Sequence, residues 1–218
     1  GMTRFSRDVD LLKWEPVLFR NLAFPSQMLC QGIDGVTSGT RFTSSSGAFM
    51  ERGVKAGQVI YLYNSAIDSC YEIVAVVSAT ELTLSVVRGN AEQDPIAVPG
   101  GSNLQYRIST FDPQAEEAGE EMLRYFGIDI GSSEEQIRSE MILDGGVLRQ
   151  ASVFSILSAV YASQAGGAED EAGYWEKSRR YQKLYQAARA GARITLDTDG
   201  NLLVNEVRGG GSLRLLRF

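Results

Sequence analysis

From Gly53 to Val87 the sequence runs GVKAGQVIYLYNSAIDSCYEIVAVVSATELTLSVV, and no other stretch restricts the fold so tightly. Three apolar runs of strand length, Gln58 to Tyr63, Tyr71 to Val77 and Glu81 to Val87, are rich in β-branched and aromatic residues and separated by turn formers. Tyr71, Ile73, Ala75 and Val77, then Leu82, Leu84 and Val86, recur at every second position, as a meander with one buried face requires. About five such strands curl into a small barrel. The polar residues of the stretch converge on no catalytic pattern, so it predicts a folding unit or docking surface.

On both sides of this module the periodicity becomes helical. Asp8 to Phe24 places Leu11, Trp14 or Glu15, Leu18 and Leu22 on one face, with Pro16 interrupting an early turn. TFDPQAEEAGEEMLRYFGI predicts a helix with Asp112 as N-cap, Pro113 at the first helical position, acids in the first turns and Gly127 as the stop. SSEEQIRSEMILDGG predicts a shorter helix capped by Ser132 or Ser133. VLRQASVFSILSAVYASQAGG is apolar on nearly all sides and predicts a central buried helix ending at Gly166-Gly167. A last long helix runs from about Glu169 to Ala190, with Tyr174, Tyr181, Leu184 and Tyr185 at helical spacing among Lys177, Arg179, Arg180, Lys183 and Arg189. Aromatics so spaced pack on a neighbouring helix, and the cations form a solvated or interface face. ITLDTDGNLLV predicts a hairpin turning at Asp199-Gly200. A calcium loop there would need glycine where Leu202 stands and an acid where Arg208 stands. Gly209 to Gly211 is a loop between extended segments.

These patterns predict an α+β fold: a helical body with an inserted small antiparallel β-barrel-like module and a C-terminal β-hairpin. The body takes residues 1–30 and 109–218, and the module residues 31–108, with Gly32, Gly35 and Gly39 at one junction and Pro95, Pro99, Gly100 and Gly101 at the other.

What is missing restricts function. The 218 residues contain no histidine, which removes Ser-His-Asp and Cys-His catalysis and His-bearing zinc sites together. None of Lys13, Lys55, Lys177 and Lys183 completes a Ser-x-x-Lys motif, and there is no P-loop. Cys30 and Cys70 lie far apart without a partner motif and read as reduced core residues. The carboxylate pairs Glu116–Glu120 and Glu117–Glu121 share a helix face at i, i+4, and read as a solvated early helix rather than a glycosidase pair. No catalytic residue, cofactor or metal is expected. A net charge of −6 argues against a large basic nucleic-acid surface. No window approaches the roughly 18 apolar residues of a membrane span, and the N-terminus carries no apolar signal region. Gly1 ahead of Met2 reads as a tag remnant.

Charge is uneven along the chain. From Phe111 to Asp144 ten acids meet only Arg124 and Arg138, while from Glu176 onward nine cations meet four acids. This asymmetry predicts head-to-tail pairing of identical subunits, with Arg179, Arg180 and Arg189 of one set against Glu116, Glu117, Glu120 and Glu121 of the next.

The order of parts resembles the head–tail adaptor or head-completion (neck) proteins of tailed bacteriophages and their prophage-derived relatives. The resemblance rests on AFMERGVKAGQVIYLYNSAIDSCYEIVAVVSATELTLSVV, on TFDPQAEEAGEEMLRYFGI, and on ASVFSILSAVYA and YWEKSRRYQKLYQAARA leading into LDTDGN. It implies a structural ring subunit joining portal to tail, with itself and portal or tail proteins as partners and DNA passing through the lumen. It also implies a protein of the bacterial cytoplasm or the assembled virion, without a membrane. An alternative is a binding module, such as a tail, baseplate or carbohydrate-binding component, with Tyr61, Tyr63 or Tyr71 exposed in a groove.

Overall fold

The computed structural model describes residues 4–22, 24–128, 141–166 and 171–209, in two compact units. One is Arg7–Phe111; the other combines Gly1–Ser6 with Asp112–Phe218. Of the helix expected over 132–146, residues 132–140 lie outside the described residues, as does the segment after Gly209, and 141–146 are not α-helical: Ile142 bridges to Leu196 and Gly145–Leu148 forms a 3-10 turn.

The first unit is a closed antiparallel barrel. Its strands β1 (Met28–Ser38), β2 (Arg41–Thr43), β3 (Val59–Tyr63), β4 (Asp68–Ser78), β5 (Glu81–Ser85) and β6 (Gly101–Ser109) follow the order β1-β2-β5-β4-β3-β6, and β6 pairs back onto β1. Closure removes every open sheet edge. Gly39, at φ +61°, supplies the left-handed residue that lets β1 return as β2. Phe42, Ile60, Leu62, Ile73, Leu82, Leu84, Leu104 and Ile108 fill the interior. Among them sits an aromatic trio in which Phe42 lies 5.2 Å from Tyr106 and 6.0 Å from Phe49. The period-two pattern fails at two positions. A bulge between Ile73 and Ala75 shifts the phase of β4, so Val76 packs against the core while Val77, expected inside, is exposed. Val86 is exposed as well, one residue beyond β5.

Two helices belong to this unit. The chain breaks around Pro16 into α1 (Asp8–Trp14) and α2 (Leu18–Asn21), which lie against β3 and β4. Phe19 meets Phe111 edge to face at 5.2 Å, the Phe111 N–H donates to Asp8 Oδ1 at 2.9 Å, and the Val9 N–H donates to the Gly57 carbonyl at 2.9 Å. The segment after β5 is fastened by an ion pair. Arg88 donates to Glu72 through Nη2 at 2.8 Å and Nε at 3.2 Å and to the carbonyls of Ala91 and Gln93, and both charged side chains are less than a tenth exposed.

In the second unit α4 (Arg149–Ala165) packs against both α3 (Asp112–Tyr125) and α5 (Glu171–Gly191). Val153, Phe154, Ile156, Leu157, Val160 and Tyr161 of α4 are buried, with Tyr181 of α5 against Phe154 and Tyr161, and Tyr185 of α5 is buried too. Ser158 and Ser178 exchange hydroxyl-to-carbonyl hydrogen bonds at 3.1 and 2.9 Å, which small side chains permit where two helices approach closely. The C-terminal hairpin pairs β7 (Arg193–Leu196) with β8 (Glu206–Gly209). Its connection spans 197–205, longer than a turn at Asp199-Gly200 alone, because the Asp197 carboxylate gathers the N–H groups of Gly200, Asn201 and Leu202 at 2.8, 3.2 and 2.8 Å. Asn201 to Val204, expected to form the return strand, are exposed loop instead.

The expected fold class, a helical body with an inserted barrel-like module, is therefore corrected. The chain is mixed α/β, with a closed six-stranded barrel lying between helices in sequence and a C-terminal hairpin, and its body is not mostly helical. The division of the chain differs too: residues 7–30 join the barrel rather than the later helices. The physical reason is that the apolar stripe of Asp8 to Phe24 fits any apolar surface, and the one it meets is β-sheet.

Candidate functional site

The most constructed surface feature lies on the outer face of the barrel, where a bulge interrupts β1. The register steps from Gly32 opposite Tyr106 to Gly35 opposite Leu104, so β1 carries one residue more than β6. Ile33 is thereby turned to solvent, 74% exposed, and Asp34 is aimed at the loop after β2. There its carboxylate accepts from the hydroxyls of Ser44, Ser45 and Ser46 at 2.7, 2.6 and 2.8 Å and from the Ser46 N–H at 3.1 Å. These donors, Ser45 foremost, hold the Asp34 carboxyl well below the usual carboxylate range. Ser44 also hydrogen-bonds the buried Tyr106 hydroxyl at 2.9 Å, joining the surface loop to the aromatic core. Position 32 has no room for a side chain, since a Cβ there would lie 2.5 Å from the Tyr106 ring.

Beside the bulge is an open groove of about 650 Å³ lined by Gln31, Gly32, Ile33, Asp34, Ser46, Tyr63, Tyr106 and Arg107. Tyr63 stacks on Tyr61 with centroids 5.0 Å apart and planes 11° from parallel. The Arg107 guanidinium lies 5.2 Å from the Tyr61 centroid and donates through Nη2 to the carbonyls of Phe19 and Arg20 at 2.8 and 2.9 Å. Its Nε is buried and meets no acceptor among the described residues. The Tyr61 hydroxyl donates to Asp68 at 2.8 Å, and burial together with that carboxylate pushes its pKa up to about 12. Of the tyrosines singled out in the sequence, Tyr63 lines this groove and Tyr61 supports it. Tyr71 faces the core. Asp34 and Gly32 were not read as parts of a site, Gly32 standing only among the junction glycines, and neither was Arg107. The sequence signals for the first two are glycines bracketing Ile33-Asp34 inside a strand and the triple serine Ser44 to Ser46.

The charged residues expected at a subunit interface lie on α3 and α5. Within the one chain Arg189 meets Glu121 at 2.9 Å and stands 4.2 Å from the Tyr125 ring centroid and 4.8 Å from that of Tyr185. Glu120 pairs with Arg124 at 2.8 Å. Glu117, Arg179 and Arg180 are exposed and Glu116 is half-buried, and none of the four forms an ion pair among the described residues. Trp175, 40% exposed, and Lys183 extend the α5 face that carries Arg179 and Arg180.

Cys30 is buried and Cys70 half-buried; both are free thiols, with pKa values pushed up to about 12 by burial. Among the described residues no three acidic or thiol side chains converge as metal ligands, and no helix is long and apolar enough to cross a membrane. Comparison with protein-family models, curated proteins and solved structures found no match.

Proposed function

We propose that this chain is a non-catalytic assembly subunit of the head–tail adaptor type, forming a ring between portal and tail in a tailed bacteriophage or a prophage-derived particle. The observation that supports it is a mismatch of charge within the helical unit. Arg179 and Arg180 on α5 and Glu116 and Glu117 on α3 have no ion-pair partners among the described residues, whereas Glu120, Glu121, Arg124 and Arg189 do. A head-to-tail contact between identical subunits would match the first set in every repeat. Assembly then takes place in the bacterial cytoplasm, ends in the virion, and leaves DNA to pass through the lumen. Each exposed pair adds only about 0.2–1 kcal/mol, so the ring forms when a portal presents its binding surface and a dilute subunit stays monomeric. The test is co-assembly with the neighbouring portal protein, followed by electron microscopy at low and high ionic strength. Rings at low salt that disperse at high salt are expected; absence of rings at every salt concentration contradicts the proposal.

A second function, a ligand-binding module, is favoured by the stacked Tyr61–Tyr63 pair beside the barrel groove. An adaptor can carry such a site on the same chain.

A further inference from the structure

We propose that the barrel groove binds a neutral saccharide unit, with a sugar ring lying against Tyr63 and its hydroxyls meeting Gln31, Arg107 and Ser46. This ligand class rests on the ligand-binding function of the barrel and narrows it.

The shape favours a flat, small ligand. Tyr63 is held by its stack on Tyr61, whose own hydroxyl is fixed by Asp68, so its ring is a platform with little left to order on binding. The groove, at about 650 Å³, has the size of a small-molecule site rather than of a macromolecular interface.

Charge favours a neutral ligand. Asp34 and Arg107 both line the groove, so an anion meets one like charge and a cation the other. The Asp34 carboxylate already accepts four hydrogen bonds and has little capacity left.

Hydrogen-bonding capacity narrows the class further. The Ser46 hydroxyl proton is committed to Asp34, which leaves its oxygen as an acceptor toward the groove. Arg107 lines the groove with a guanidinium that can only donate, its Nη2 already committed to the carbonyls of Phe19 and Arg20. Gln31, exposed along the groove, offers both a donor and an acceptor. A site that needs an acceptor at Arg107 and a donor at Ser46, beside an aromatic face, suits a ring of hydroxyls, because each hydroxyl does both.

Saturation-transfer NMR on the full chain tests this, with maltotriose, galactotriose, mannotriose and chitotriose as probes and a short thymidylate oligonucleotide and an apolar peptide as competing classes. The expected result is saturation of one or more saccharides, strongest at the ring C–H protons. Tyr63→Ala should weaken binding about tenfold, and Tyr63→Phe, which keeps the ring, should retain it. Gln31→Ala should weaken it less. Thermal melting of each variant separates lost binding from lost folding. Saccharide signals that persist unchanged in both Tyr63→Ala and Gln31→Ala overturn the site. Silence from all four saccharides while the oligonucleotide or the peptide binds through Tyr63 overturns the ligand class and leaves a binding barrel. Silence from every probe overturns both.

Discussion

In the barrel unit the charged groups nearest the core are answered inside the chain. Glu72 meets Arg88, Asp34 meets three serines, and Arg107 Nη2 meets two backbone carbonyls. On α5 of the helical unit Arg179 and Arg180 stand in solvent without ion-pair partners among the described residues, beside a half-exposed Trp175. The contrast separates two uses of charge. A buried pair is costly to break, because removing one partner leaves a buried charge uncompensated. Exposed, unpaired charges contribute almost nothing to the fold and are available for contacts with another molecule.

Mutations should divide along that line. The largest effect is expected at the buried pair: Glu72→Gln or Arg88→Met alone should destabilise the barrel by about 3–5 kcal/mol in chemical denaturation, and replacing both by apolar residues should recover much of the loss. Next comes Gly32→Ala. Its methyl group would lie 2.5 Å from a Tyr106 ring already wedged against Phe42 and Phe49, so a loss of about 1–3 kcal/mol is expected, measured the same way. If the variant were as stable as the parent, the tight bulge would not describe the protein.

Acid should expose a smaller effect of the same kind. Burial raises the Glu72 pKa, but the hydrogen bonds and charge of Arg88 together outweigh it, and the serine donors lower that of Asp34. Both folded-state values lie below the unfolded ones, so the stabilisation is complete above the ordinary carboxylate range and declines as pH falls through about 4. Asp34→Asn should be less stable than the parent at neutral pH and lose less on acidification, as followed by melting temperature against pH. At the small end, Arg179→Glu with Arg180→Glu should leave stability within about 0.5 kcal/mol of the parent. A larger loss would show that these arginines are structural and would erase the contrast between the two units.

Much of this organisation was legible in the residues. Leu82 and Leu84 at period two, the signals from Asp112 through Gly127, and the all-round apolarity of Val153 to Tyr161 are local patterns that tertiary structure leaves intact. The small barrel itself was expected, but its first strand was not legible, because Gly32 and Gly35 break the alternation that marks a strand in β1. Nor was the allegiance of α1, since an apolar stripe specifies burial and not the partner. The groove was half visible: Tyr61 and Tyr63 announce themselves by spacing, whereas Asp34 and Ser44 to Ser46 come together only through the bulge and the β1–β2 turn. The Arg189–Glu121 pair was read as charge for a neighbour, and the 68 residues between them in sequence conceal that α5 brings them together within one chain.

The central claim is that unpaired charge on the helical unit is there for a second copy, and a charge-swap assembly tests it most directly. Arg179→Glu/Arg180→Glu subunits and Glu116→Lys/Glu117→Lys subunits are each mixed with the portal at low salt, separately and then combined in one chain, and rings are counted by electron microscopy. Each double variant alone should fail to form rings, and the combined variant, with complementarity restored in reverse, should recover them. Rings that form undiminished with either double variant alone would contradict the account, as would a combined variant that folds yet stays monomeric.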